Sequence, residues 1–247
     1  MTFNDVKAAA EWFTELIIAR SGRALVDEVT VPEPCEPFDK LYFVRLVSWG
    51  YVLFNEAGST IFRELARLMK SSNPEVARAY HDGKRDIEVL RTSHSHNLPD
   101  GNSSNEKTKR LAEAWLLNNG GRDNYPSHCV ALLQILQMMI GSLQDTFVHL
   151  TEDNEMSPTG LDQLLLAVDR AWPPYLFDEI VREIAIEIGL PTLDAASFRK
   201  LHQDNWVKHA SLFPERPDAT SAMRRVIRAD LSRIFGGLSP AFSSRFE

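Results

Sequence analysis

Residues 126–151 read PSHCVALLQILQMMIGSLQDTFVHLT. Placed on a 3.6-residue period, the apolar side chains of this stretch wrap most of the way round. A helix apolar on nearly every side has to be enclosed by other helices or sheets. The stretch therefore predicts a central helix, begun by Pro126 and Ser127 and running to Thr151. Its most apolar part, VALLQILQMMIGSL (130–143), is interrupted by Gln134 and Gln137. It reads as too short and too polar to span a bilayer.

Outward from this helix, the spacing is helical almost everywhere. Val6, Ala9, Ala10, Phe13, Leu16 and Ile17 follow a three-four rhythm that predicts a first helix over 4–20. VDEVTVPEPCEPFD (26–39) holds three prolines and five acids and reads as loop. A second helix is predicted over 38–56 and a third over 60–70, with Ser59 as the start of an imperfect capping pattern. Asn73-Pro74-Glu75 is a helix start: a cap, a first-turn proline and a first-turn acid. This fourth helix is predicted to run to His96, because Pro99 disfavours α conformation at Leu98. A fifth helix is predicted over 105–119, ended by Gly120-Gly121. Four further helices are predicted over 158–170, 175–188, 194–209 and 220–235. No alternating strand pattern, repeat or low-complexity tract is visible. The expected fold class is all-α: a helical bundle of about five helices within residues 1–152, followed by a C-terminal helical extension, 153–247.

A chain of 247 residues that is 44% hydrophobic has enough apolar surface for a sizeable core. Its net charge is −7, so it repels nucleic acid at long range, and any such contact needs a local basic patch. Cys35 and Cys129 form no Cys-x-x-Cys pair and are too few for a disulfide framework, which suits a reducing compartment. The N-terminal MTFNDVKAAAEWFTELI holds Asp5, Glu11 and Glu15 and does not read as a signal peptide. The expected location is cytoplasmic, with no membrane contact.

The stretch that speaks of chemistry is RDIEVLRTSHSHNLP (85–99). It places arginine, acid and histidine side chains along one helix and its end. A guanidinium forks onto a phosphate and stabilises charge in a transition state. An imidazole near neutrality moves the proton of a ribose 2′-hydroxyl or of a leaving oxygen. Such an attack needs no metal and no cofactor. Arg91 and His96 differ by five residues, roughly 140° around an ideal helix, whereas His94 lies closer to Arg91. The residues alone leave His94 and His96 as alternatives. They also leave a plainer reading, in which histidines in a last turn favour the helix dipole. Zinc binding by His94 and His96 with His81 or Asp86 is disfavoured, since residues two apart on a helix point about 200° apart.

VLRTSHSHNL (89–98) resembles the signature of the HEPN superfamily (higher eukaryotes and prokaryotes nucleotide-binding). Its members carry an arginine, four to six residues and a histidine near a helix end in an all-α bundle. Arg91, the residues Thr92 to Ser95, and His96 fit that pattern, although many members carry Asn where this chain has Thr92. The resemblance spans residues 38–152. It implies a metal-independent endoribonuclease that leaves a 2′,3′-cyclic phosphate. Arg91 would hold the phosphate, His96 would move the proton, and Glu88, one turn earlier, would orient Arg91. His94 and Asn97 become possible helpers. It also implies a homodimer whose two motifs meet, an RNA substrate, a role as a toxin or an abortive-infection or antiviral defence effector, and a cognate inhibitor or activator protein. Members that have lost catalysis imply the alternative, a silent helical module that binds RNA or protein.

Lys84, Arg85, Lys107, Lys109 and Arg110 are the candidate RNA-binding residues. Arg224, Arg225 and Arg228 share a helix face that could touch RNA or pair with acids such as those of the N-terminal loop. His128, His149, His202 and His209 read as structural. No Gly-rich phosphate loop and no metal-binding motif is present.

Overall fold

The computed structural model describes residues 1–95, 98–152, 159–213 and 215–236, the side chains of residues 95, 152 and 159 apart. The fold is all-α, with no strand among the described residues. The chain divides into two compact units, residues 1–165 and 166–247.

The first unit opens with α1 (Phe3–Ser21). The Thr2 hydroxyl accepts from the Asp5 N–H, and the Asp5 carboxylate accepts from the Thr2 N–H at 2.6 Å. This reciprocal capping box starts the helix one residue before the periodicity does. α2 (Lys40–Val52) is capped by Asp39, whose carboxylate accepts from the Tyr42 N–H at 2.9 Å. The predicted helix over 38–56 does not continue unbroken. Its last part is a π-helical turn, Leu53–Ala57, a single wide turn of the kind that interrupts α-helices. α3 (Ser59–Ser72) has Gly58 at its cap with no side-chain bond, so Ser59 is the first helical residue and not the cap. α4 (Pro74–Ser95) begins where Asn73 accepts from the Val76 N–H at 3.3 Å. α5 (Ser103–Asn118) is capped by Asn102, and α6 (Tyr125–Glu152) by Asn124, which accepts from the Ser127 N–H at 3.3 Å.

α6 is central and packs against α1, α2, α3 and α4. Its residues Leu132, Leu133, Leu136, Met139, Leu143 and Phe147 are fully buried. The helix is longer than its apolar centre indicates, and by length and composition Tyr125–Thr151 could cross a membrane. Part of that apolar surface is buried in the core of the unit.

Two glycines set how closely α6 approaches its neighbours. A Cβ at Gly50 of α2 would lie 2.7 Å from a Leu136 methyl and 3.6 Å from Ile87 of α4. A Cβ at Gly83 of α4 would lie 2.8 Å from the Met139 sulfur and 2.9 Å from an Ile135 methyl. Helices α2, α4 and α6 therefore meet at contacts that no larger residue fits without displacement.

In the second unit, which takes in the end of α7 (Thr159–Arg170), α8 (Pro174–Glu187), α9 (Ala195–Ala210) and α10 (Arg216–Phe235) pack pairwise around Phe177, Val181, Ile184, Trp206, Met223 and Ile227. The Arg216 guanidinium donates to the Asp169 and Ala171 carbonyls and lies over the Trp172 ring, closing the end of α7. Arg224 bonds Glu183 and Glu187, and Arg228 bonds Glu187. The acids that face this arginine run belong to α8. Glu33 of the N-terminal loop pairs instead with Lys7 at 2.7 Å. The Trp206 indole N–H donates to Asp230 at 2.9 Å, which satisfies a buried donor in the core.

Gly83→Val should overpack the α4–α6 contact. We expect a loss of about 1–3 kcal/mol, read as a fall in Tm of roughly 2–12 °C for a chain of this size. An unchanged Tm would mean that α4 and α6 are not held at this distance.

Candidate active site

α4 is described as far as Ser95, and Pro99 disfavours α conformation at Leu98. Ile87 and Leu90 are fully buried and fix the helix against the core. Arg91 follows directly. Its side chain is half-buried, and its guanidinium carbon sits 4.6 Å from the centre of the Tyr51 ring of α2. A guanidinium held over a ring by cation–π attraction still donates in its own plane, the plane in which a phosphate is gripped.

His94 turns to a different turn of the same neighbour. Its ring meets Phe43 edge-on at 5.5 Å, and Phe43 also contacts Trp115, Tyr125 and His128. Phe43 and Tyr51 are eight residues apart on α2, about 12 Å along its axis, so Arg91 and His94 do not converge on one point there. Burial lowers the His94 pKa below the ordinary histidine value, and Lys40 and His128 push it the same way. Its Nε2 is buried without a hydrogen-bond partner. His94 is thus a neutral member of an aromatic cluster and brings no positive charge to the helix C-terminus. His96 and Asn97 lie outside the described residues.

Glu88 is exposed on the α3 side of α4 and lines a pocket with Arg63, Tyr80, His81, Lys84 and Arg85. The charge it faces there is Lys84, whose ammonium is held below the usual lysine range by burial while Glu88 counters the shift. Glu88 and Arg91 therefore face different neighbouring helices. Asp86 is half-buried, and burial raises its carboxyl pKa while the neighbouring Arg85 lowers it.

The basic side chains fall into two groups. Lys84 and Arg85 line the pocket against α3, with Arg85 bonded to Asp82 at 2.9 Å and to Asp86 at 3.4 Å. Lys107, Lys109 and Arg110 sit on the first turns of α5. Lys109 pairs with Asp100 and with Glu106, Arg110 donates to the Glu106 carbonyl at 3.4 Å, and Lys107 is exposed. Arg63 and Tyr51 carry no signal in the sequence, because both join the site across a helix–helix contact.

Among the described residues no group of three or more histidines, cysteines and acids is placed to hold a metal. The remaining histidines serve packing where their surroundings are defined. His128 is fully buried, with Nε2 2.6 Å from the Gly121 carbonyl and 3.2 Å from that of Leu116. His202 stacks on Trp206 at 5.4 Å and approaches Asp230 at 4.0 Å.

Searches against protein-family models, curated proteins and solved structures return no match to this chain.

A lowered folded-state pKa at His94 means that the unfolded chain binds the proton more readily. Stability from this site is present above the ordinary histidine pKa and is lost as pH falls toward the lowered value. We expect the His94 ring signals in a proton NMR titration to change below pH 6.5, the ordinary value. We also expect His94→Phe to flatten the acid limb of the stability curve. Titration of His94 at or above the ordinary value would contradict the buried, neutral placement.

Proposed function

We propose that this chain is a metal-independent endoribonuclease that cleaves RNA by attack of a ribose 2′-hydroxyl. The observation that carries this reading is Arg91: it occupies the last described turn of α4, half-exposed and supported by Tyr51, five residues before His96 in an all-helical chain. This supports the HEPN-like reading, in which an arginine near a helix end binds the phosphate. Arg91 would neutralise the charge that builds on the phosphate. His96 would take the 2′-hydroxyl proton or return one to the leaving oxygen. Glu88 borders Lys84, so its influence would reach the substrate through the charge of that pocket as well as through any effect on Arg91. In this reading a bundle of about five helices in residues 1–152 carries the site, and the rest is an appended helical extension.

The same resemblance supports a homodimer in which two motifs face one strand. It also supports a cytoplasmic role as a toxin or defence effector, with a cognate protein that restrains or triggers it. A second reading is a catalytically silent helical module that binds RNA or protein. It is favoured by the inward placement of His94 and by the local acids that already engage Arg85 and Lys109.

Purified protein incubated with total RNA in excess chelator separates the two. Cleavage by the wild type, reduced about 100-fold or more in both Arg91→Ala and His96→Ala, is the expected result. Equal inertness of all three proteins would leave the binding module.

A further inference from the structure

The pocket between α3 and α4 gathers cations to which the proposed reaction at Arg91 and His96 gives no step. Its volume is 270 Å³, and Arg63, Lys84 and Arg85 line it against the single carboxylate of Glu88, with His81 exposed at its side. We propose that this pocket binds a phosphate group, with Lys84 and Arg63 as its principal donors.

Lys84 is half-buried, and burial makes its ammonium costly to keep charged unless an anion joins it. Glu88 supplies part of that compensation and Arg63 opposes it. A phosphate in the cavity would favour the charged form of Lys84. Arg63 bonds Glu64 through Nε at 3.3 Å, and Arg85 bonds Asp82 and Asp86. Each guanidinium carries five N–H donors, so these contacts leave donors for a ligand. The cavity beside α1 is a useful contrast. It is larger, 520 Å³, and is lined by Glu11, Glu15, Asp27, Glu28 and Glu33 against Lys7, a surface that repels phosphate.

Lys84 and Arg91 are seven residues apart, about 10 Å along α4. The pocket would therefore hold a phosphate other than one gripped at Arg91. That phosphate could be an internal phosphodiester of an RNA strand, or a terminal or free phosphate. Binding here does not depend on cleavage.

The test is calorimetric titration of the full chain with three probes: inorganic phosphate, a short RNA without terminal phosphates, and the same RNA with a 5′-phosphate. Wild type is compared with Arg63→Gln, a largely exposed site that should not disturb folding, and with Lys84→Gln. Loss of one charge-assisted contact should weaken binding about tenfold or more in each variant. Binding of inorganic phosphate, or a gain on adding the 5′-phosphate, identifies a terminal or free group. Equal binding of both RNAs with none of inorganic phosphate identifies a phosphodiester. Absence of binding by wild type to every probe, or binding unchanged in both variants, would overturn the assignment. Neither result bears on whether Arg91 and His96 cut RNA.

Discussion

The close approach of α6 to α2 and α4, made possible where Gly50 and Gly83 lack side chains, underlies the rest of the first unit. At Gly50 the Leu136 side chain fills the space a Cβ would take, and at Gly83 Met139 and Ile135 do so. Packed interiors do not deform smoothly, so these contacts define the position of α4 relative to both partners. Tyr51 lies one residue past Gly50, and Arg91 lies two turns past Gly83. The helices that carry Tyr51 and Arg91 therefore meet at close contacts in the core.

The same packing gives neighbouring residues of the motif helix different surroundings. Arg91 stays half-exposed on a ring that supports a cation. His94 is drawn into the cluster around Phe43, where burial keeps its imidazole neutral. Glu88 and Lys84 turn to α3 and share a pocket with Arg63. One helix thus divides its polar side chains among a core, a candidate phosphate grip and a cavity of its own, according to which neighbouring helix each one meets.

Much of the fold was legible in the sequence because helix boundaries are local chemistry. Asn73-Pro74 marked the start of α4, and the wrap-around apolar pattern identified α6 as central. What escaped notice depended on distant contacts. The π-helical turn at Leu53–Ala57 follows no propensity rule, and Gly58 caps α3 without a side-chain bond. Arg224 and Arg228 meet Glu183 and Glu187, acids about forty residues away in sequence. At the site, the residue types and the placement of Arg91 near a helix end could be read directly. The inward turn of His94, the ring of Tyr51 and the contribution of Arg63 could not, because each depends on which helix lies alongside.

In the proposed reaction, Arg91 and the His96 imidazole act on one phosphodiester whose own 2′-hydroxyl is the nucleophile. The most direct measurement is mass analysis of the ends formed from an RNA oligonucleotide, and from the same oligonucleotide with a single 2′-deoxy sugar at its cleaved position, in chelator. The account predicts a 2′,3′-cyclic phosphate from the first and no cut at that position in the second. Cutting that persists at the deoxy sugar, or that leaves 5′-phosphate and 3′-hydroxyl ends, would contradict it.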